Sequence, residues 1–233
     1  MIHAKQLTKV YYTHAALREL TLTVNPGQIY CLLGANGAGK STTINLFLGF
    51  IQPSSGNVFI NGLDVTKNTR ETKQYIAYIP ENLMLYPYLS GIENLDFFCK
   101  LSGKKHSRDE LHELLVKSGL QEKFINEKVA AYSKGMRQKV GIALAVAKDA
   151  SALLLDEPTS GLDPKASNEF SELLLTLKEK GVATLMATHD LFRAKETGTH
   201  IGIMKQGCLV ESFTSEELGV KDLESLYLQH MHN

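Results

Sequence analysis

Cysteine is scarce in this chain: Cys31, Cys99 and Cys208 are the only three among 233 residues. They lie far apart in sequence and lack the short spacings of metal-ligating cysteines. We therefore expect free or buried thiols in a reducing compartment.

Long apolar runs are missing too. No stretch approaches the ~20 residues that span a bilayer, and the longest ones, such as residues 142–147 and 152–155, suit a protein core. The first residues, Met1 to Gln6, lack the apolar segment of a signal peptide. These absences predict a soluble, cytoplasmic chain that reaches a membrane only through a partner.

An excess of either charge is also lacking. Lys and Arg together number 25, as do Asp and Glu, so the formal net charge is zero. Nucleic-acid binding usually requires a basic surface, so we expect no nucleic-acid partner. The length and the 43% hydrophobic content suit one large α/β domain, or one domain with a helical insert, without internal repeats.

The pattern of apolar and turn residues predicts the order of the elements. Residues 2–33 have the alternation of a β-hairpin region, and from residue 133 onward apolar strands alternate with helices, which favours a mainly parallel, covered sheet. Between them, Ile92–Leu101 and Arg108–Leu120 have helical spacing, with Ser90 and Ser107 as N-caps. We expect a helical insert at about 82–130.

A glycine-rich loop at residues 34–42 is the first feature that carries chemistry. It has the pattern Gly, four residues, Gly-Lys-Ser, after an apolar strand and before a helix, a context that disfavours a plain glycine-rich turn. Loop N–H groups and the helix N-terminus can hold phosphates, Lys40 can reach the β- and γ-phosphates, and the Ser41 hydroxyl can ligate Mg²⁺. The predicted nucleotide-binding residues are Gly34, Ala35, Asn36, Gly37, Ala38, Gly39, Lys40, Ser41 and Thr42.

Two carboxylates end the apolar segment 152–155. In a phosphate-loop protein, Asp156 can hold the Mg²⁺ shell, and Glu157, which points differently, can polarise a water for in-line attack. The alternative is an acidic exit from a strand onto the surface. His189 follows the next predicted strand and could bond a γ-phosphate or orient the water, although a lone histidine there is more often structural.

A third signal precedes the helix at 135–148. Ser133 and Gly135 could form an anion site at the helix N-terminus. Taken alone, they favour a plain N-cap by Ser133.

Together these motifs resemble the nucleotide-binding subunits of ATP-binding cassette (ABC) transporters, over about residues 9–210. The matching motifs, in order, are Walker A at 34–42, a loop at Pro80-Glu81, a signature at Tyr132–Met136, Walker B at 152–157, a D-loop at 160–163 and a switch His189. The resemblance implies one α/β P-loop NTPase domain over 1–233. Its core would be at about 1–81 and 131–233, with a mainly parallel core sheet, an N-terminal antiparallel β subdomain and a helical subdomain.

The resemblance also implies a role for each site residue. Glu157 would be the general base, His189 would sense the γ-phosphate, and Tyr11 would stack on adenine. Tyr12 replaces a common glycine, so which tyrosine stacks stays open. The implied Mg²⁺ residues are Ser41, Glu81 and Asp156. The residues implied to reach the partner's ATP across a dimer are Ser133, Lys134, Gly135 and Met136, supported by Asp163.

Some positions depart from the family's usual pattern. Glu81 replaces glutamine, and Lys134 and Met136 replace glycine and glutamine in the signature. Both departures resemble the ABC-2-type exporter branch. The implied function is an Mg²⁺-dependent ATPase that dimerises with ATP, as a homodimer or a heterodimer, and drives a separate transmembrane permease, in the direction of export. It would lie on the inner face of the cell membrane. The alternative is a soluble ABC-type ATPase that is not coupled to transport.

The permease is expected to contact the helical insert and the loop at 80–88. Tyr86, Pro87 and Tyr88 could be part of that interface, and a packed local turn is the alternative.

Overall fold

The computed structural model describes the backbone of residues 1–232, and the side chains of all of these except Lys221, Met231 and His232. Within this range the strands are β1 Ile2–Tyr11, β2 His14–Val24, β3 Ile29–Leu33, β4 Ser55–Ile60, β5 Leu63–Asp64, β6 Ile76–Ile79, β7 Ala152–Asp156, β8 Ala183–Thr188, β9 His200–Lys205 and β10 Cys208–Thr214. The helices are α1 Lys40–Phe47, α2 Thr69–Tyr75, α3 Gly91–Leu101, α4 Arg108–Lys117, α5 Glu122–Ile125, α6 Lys134–Ala147, α7 Pro164–Glu179, α8 Leu191–Thr197 and α9 Val220–His232, with a 3₁₀ turn at Val129–Ala131.

The strands form two sheets. An antiparallel sheet has the order β2-β1-β4-β5, and a larger sheet has the order β10-β9-β3-β8-β7-β6. In the larger sheet every neighbouring pair is parallel except β9 and β10. The predicted fold class, with a mainly parallel core sheet and an N-terminal antiparallel sheet, is therefore confirmed.

Burial explains the parallel core. All residues of β3 and β8 are buried, and β7 is buried up to Leu155, because helices or the second sheet cover both faces. One apolar core lies between the two sheets around α1, and another packs α7, α8 and α9 on the opposite face.

Strand register places the site at one sheet edge. Leu33 pairs with Thr188, and Asp156 pairs with Ala187. Because these strands are parallel, the segments that follow β3, β7 and β8 leave the sheet side by side, which is the usual place for a ligand in such a fold.

The helical insert has its own apolar core, which α6 shares. Both predicted N-caps are confirmed, and each forms a capping box: Ser90 with Glu93, and Ser107 with Glu110. Helix α2 was not predicted. It has only two turns and a single fully buried side chain, Thr72, so it carries little apolar periodicity.

Cys31 and Cys99 are buried and Cys208 is half-buried, and all three are free thiols, as predicted. None of the helices in the described range 1–232 has the length and apolar content needed to span a membrane.

Candidate nucleotide-binding site

The phosphate loop turns through glycine. Gly39, immediately before α1, has a φ of 105°, and a Cβ there would lie 2.7 Å from the carbonyl oxygen of Ala16. Only glycine fits this backbone without a shift. The Lys40 ammonium folds back over the loop and donates to the carbonyl oxygens of Gly34 at 2.6 Å and Ala35 at 3.3 Å. The loop is therefore closed around its own lysine.

A cleft of about 350 Å³ opens over this loop. Its lining residues come from the phosphate loop, the β1–β2 hairpin and the ends of β6 and β7: His14, Ala16, Ala35, Asn36, Gly37, Ala38, Gly39, Lys40, Ser41, Thr42, Glu81, Asp156 and Glu157. The structure thus brings the predicted Walker A residues from Ala35 to Thr42 together with all three predicted carboxylates.

Ser41 and Asp156 face each other in the cleft. The Ser41 hydroxyl donates to Asp156 Oδ1 at 3.1 Å, although the two residues are 115 positions apart. Burial raises the pKa of the Asp156 carboxyl, and the hydrogen bond from Ser41 opposes that shift. Oxygen atoms from a hydroxyl and a carboxylate are the donors that Mg²⁺ prefers, so this pair fits the ion.

Side chains alone do not form a complete metal site in the part of the chain that the structure describes. In residues 1–232, apart from side chains outside the description, no three His, Cys, Asp or Glu residues are grouped to hold a metal ion. Mg²⁺ usually keeps several water ligands and binds through one or two protein oxygens together with substrate phosphates, so the Ser41–Asp156 pair is consistent with this ion.

Glu157 lies between Lys40 and His189. Its Oε1 is 3.4 Å from the Lys40 ammonium without a well-oriented hydrogen bond, and its Oε2 is 2.8 Å from His189 Nδ1. The Glu157 side chain is 14% exposed and its backbone has a φ of 48°, a left-handed conformation that is costly for a non-glycine residue. The two adjacent carboxylates therefore have different partners: Asp156 contacts Ser41, whereas Glu157 contacts Lys40 and His189.

Glu81, in the loop after β6, contacts both the D-loop and the signature. Its carboxylate accepts a hydrogen bond from the Ser160 hydroxyl at 3.1 Å and lies 3.8 Å from the Lys134 ammonium. The predicted Mg²⁺ residue therefore borders the cleft while its carboxylate contacts the D-loop and the signature. Ser160 belonged to the D-loop motif but was not predicted as a partner of Glu81.

The signature residues 133–136 lie outside the lining of the cleft. The Ser133 hydroxyl accepts the N–H of Met136 at 3.2 Å and so caps α6, which confirms the N-cap interpretation. A capping hydroxyl still has a donor hydrogen, so this bond leaves room for another contact. Within the described range, none of residues 133–136 lines the cleft. Asp163 likewise caps α7, by accepting the N–H of Ala166 at 2.9 Å.

The hairpin between β1 and β2 forms one wall of the cleft. His14 and Ala16 line it, whereas Tyr11 and Tyr12 do not. Tyr11 pairs with His14 across the hairpin and lies under the Lys9 ammonium at 4.9 Å, while Tyr12 is fully exposed at the tip. His14 and Ala16 were missed because only the strand register reveals which hairpin residues face the loop.

The loop at 80–88 contains both packed and exposed side chains. Tyr86 packs against Phe97 with ring centroids 4.9 Å apart, and its backbone N–H and C=O both bond the Asn94 amide. Tyr88 is 83% exposed and Met84 is 81% exposed. Tyr86 therefore forms a packed local turn, which presents Met84 and Tyr88 to solvent.

A phosphate loop, a hydroxyl–carboxylate pair and a second carboxylate next to a histidine define a P-loop nucleotide hydrolase. Residues 17–160 match the family described as ABC transporter, and the chain belongs to that family. It is an ATP-binding, ATP-hydrolysing subunit of an ABC transporter.

Three similar proteins illustrate the relationship. The bacitracin transport ATP-binding protein BcrA of Bacillus licheniformis is 36% identical over 232 residues, covering 98% of this chain and 74% of its own. A solved ATP-binding subunit of an ABC transporter is 32% identical, with a TM-score of 0.85 and 98% of each chain covered. The dimeric post-hydrolysis structure of the cassette MJ0796 with ADP and Pi is 27% identical, with a TM-score of 0.82, covering 92% of this chain and 99% of that one.

Proposed function

We propose that this subunit provides one half of each of two ATP sites, and that ATP closes two such subunits face to face to drive a permease. The observation that carries the proposal is the separation of the two halves. Lys40, Ser41, Asp156 and Glu157 surround one cleft, whereas the signature around Ser133 lies outside it. A second subunit can supply the missing half.

Mg²⁺ would be held by Ser41 and Asp156, with Glu81 near it at the border of the cleft. When bound, the ion would neutralise charge on the β- and γ-phosphates. The raised pKa of the Asp156 carboxyl supports this placement, since a buried carboxylate without a cation is poorly solvated.

Hydrolysis would depend on Glu157 and His189. Glu157 would orient and deprotonate the attacking water, after exchanging its contact with Lys40 for one with that water. His189 would hold the carboxylate through Nδ1 and present its other ring nitrogen toward the γ-phosphate. Tyr11 would stack on the adenine, because it pairs with His14 in the hairpin whose residues His14 and Ala16 line the cleft.

The second subunit would place its Ser133, Lys134, Gly135 and Met136 over the bound ATP, with Asp163 near the opposing site. Ser133 is exposed, which suits a contact across an interface. The MJ0796 cassette, which shares this fold, is described as dimeric with ADP and Pi bound. The partner could be a second copy or a paralogue.

The permease would dock on the loop at 80–88, where Met84, Tyr86 and Tyr88 are exposed within five positions of one another, since a group of exposed apolar side chains favours a contact site more than a single one does. BcrA is named for bacitracin transport. We infer export as the direction for this chain, which the exporter-like signature also favours. Through this partner the subunit would lie on the inner face of the cell membrane.

The substitution Glu157→Gln tests the proposal. It keeps the size of the side chain and removes the base, so ATP turnover should fall by about 10²- to 10⁴-fold, as is typical when a general base is lost. ATP binding should persist, and light scattering after size exclusion should show an ATP-dependent dimer. Turnover equal to that of the parent protein would refute the role of Glu157, and a monomer at high protein and ATP concentrations would refute ATP-driven closure of the isolated subunit.

A further inference from the structure

Gln138 occupies an unusual buried position in the first turns of α6. The residue is 1% exposed, and its Nε2 is close to three backbone carbonyl oxygens: Pro158 at 3.3 Å, Pro80 at 3.4 Å and Glu81 at 3.5 Å. Its Oε1 is buried and accepts no hydrogen bond from the described residues. One side chain therefore connects the signature helix to two separate loops.

These two loops frame the reaction. Pro80 and Glu81 follow β6, and Pro158 follows Glu157 at the end of β7. Since β6 and β7 are parallel neighbours, with Ile79 opposite Leu155, both loops leave the sheet at the same edge. Gln138 lies across that edge and contacts both.

The hydrogen bonds of Gln138 are long, and they leave part of its amide without a partner. An amide nitrogen has two hydrogens, so it can serve only two of the three carbonyl groups at once. The distances are longer than the usual 2.9–3.0 Å, and an unpaired buried amide oxygen carries a desolvation cost. An apolar side chain of equal length would avoid that cost but would take the donor away from the carbonyls of both loops. The amide of Gln138 therefore holds the two loops to α6 by bonds that leave its own oxygen unpaired.

We propose that Gln138 is a positioning residue that transmits the position of α6 to the loops carrying Glu81 and Glu157. This inference rests on the proposed function, in which a partner's ATP contacts the signature at the start of α6. A shift of that helix would move the Gln138 amide, and its long, exchangeable bonds would move the Pro80 and Pro158 carbonyls together. The Glu157 carboxylate and the Glu81 loop would thus be set by one motion.

The substitution Gln138→Met tests this assignment because it keeps the length of the side chain and removes the donor. We expect the turnover number to fall by about 10- to 100-fold, as small misplacements of catalytic groups do, while the affinity for ATP stays within about twofold. Ile142→Met is the matched control, since Ile142 is buried on the same helix at 2% exposure and this swap conserves volume. The control should keep the parent's turnover.

Hydrogen exchange gives a readout that does not depend on turnover. The N–H groups of Ser160 and Leu162 bond the carbonyls of Glu157 and Thr159 in the loop after Pro158. Gln138→Met should speed exchange at these amides, and Ile142→Met should not. Unchanged exchange in Gln138→Met would overturn the positioning role of Gln138. A parent protein without ATPase activity would count against the proposed function, and the exchange measurement would still decide the role of Gln138.

The turnover and the ATP affinity of the Gln138 variants also test the positioning role. A Gln138→Met turnover within twofold of the parent, or a loss matched by an equal loss of ATP affinity, would overturn a positioning role. If that variant does not fold, Gln138→Asn keeps the donor on a shorter side chain and serves in its place. It should give a partial loss of turnover with faster loop exchange, and parental values for both would overturn the proposal.

Discussion

The carboxylate of Glu81 lies 3.8 Å from the ammonium group of Lys134, so the two positions that depart most clearly from the family's usual pattern carry opposite charges and meet in space. Glu81 would add a negative charge near a triphosphate, and Lys134 offsets that charge within the same subunit. Both side chains keep some exposure, at 48% and 24%, so the pair can exchange partners when a nucleotide arrives.

We expect Glu81→Gln to have a mild effect. Glutamine keeps a side-chain oxygen at the border of the proposed Mg²⁺ site, so turnover should stay within a few-fold of the parent. Loss of the ion pair should lower the free energy of unfolding by about 0.2–1 kcal/mol, the usual range for exposed pairs.

Urea unfolding of Glu81→Gln, Lys134→Met and the double variant measures the coupling between the two residues. Strict additivity would show that they do not interact in solution. Glu113 and Lys117, an exposed pair at 2.6 Å on α4, provide a comparison cycle away from the site.

Tyr132, directly before the signature serine, predicts a pH dependence. Its side chain is buried, and its hydroxyl donates to the Phe124 carbonyl at 2.6 Å. Burial raises the pKa of Tyr132 to about 12, and the backbone N–H of Gly91 opposes this shift. The pKa in the unfolded chain is about 10. The stabilisation from Tyr132 is therefore fully present below about pH 10 and is lost as the pH rises toward the folded value.

Tyr132→Phe should reveal this contribution. At pH 7 the variant should lose about 0.5–1.5 kcal/mol of unfolding free energy, since the bond from the Tyr132 hydroxyl is lost while the N–H of Glu127 still donates to the Phe124 carbonyl. Between about pH 10 and 12 the parent should lose stability faster than the variant, so their melting temperatures should converge. Tyr88→Phe, at an exposed side chain, should follow the parent throughout. A constant gap between Tyr132→Phe and the parent would contradict the shifted pKa.

The exposed tyrosine predicts where the permease binds. Tyr88→Ser removes an aromatic ring that contributes little to the folded core, so the ATPase activity of the isolated subunit should stay within about twofold of the parent. Binding to membranes that contain the permease should weaken by about tenfold or more, because buried aromatic anchors carry much of an interface's free energy. Leu228→Ser, at an exposed residue of α9, is the control for a general surface effect. Equal binding by Tyr88→Ser and the parent would place the docking site elsewhere.

Motif and strand patterns indicated which residues meet in the cleft because these residues follow buried strands of the same parallel sheet. Gly39, Ser41 and Asp156 could be placed together, since the carboxyl ends of parallel strands share an edge. The pairing of Glu81 with Ser160 and Lys134, and the role of Gln138, could not be predicted. The first contact joins two loops over 79 sequence positions, and the other two join a loop to α6 over 53 and 57 positions. No local spacing encodes such distances.

The hairpin shows the same limit on a smaller scale. The sequence marks Tyr11 and Tyr12 as aromatic candidates for the adenine. The hairpin register and the left-handed φ of 53° at Tyr12 decide which residues face the cleft, and these depend on how β1 and β2 pair. His14 and Ala16 carry no local signal that distinguishes them from other turn-flanking residues.

In the proposed dimer each ATP site is shared between two subunits, and an experiment that mixes two variants tests this sharing. Lys40→Ala disables the phosphate loop, and Ser133→Arg blocks the signature, so each variant alone should have almost no ATPase activity. In a mixed dimer, one site joins an intact phosphate loop from the Ser133→Arg chain to an intact signature from the Lys40→Ala chain. If the parent chain hydrolyses ATP alone, mixing the two variants should restore a measurable fraction of its activity, well above the sum of the separate rates. A mixed activity equal to that sum, while dimers still form, would contradict the shared site.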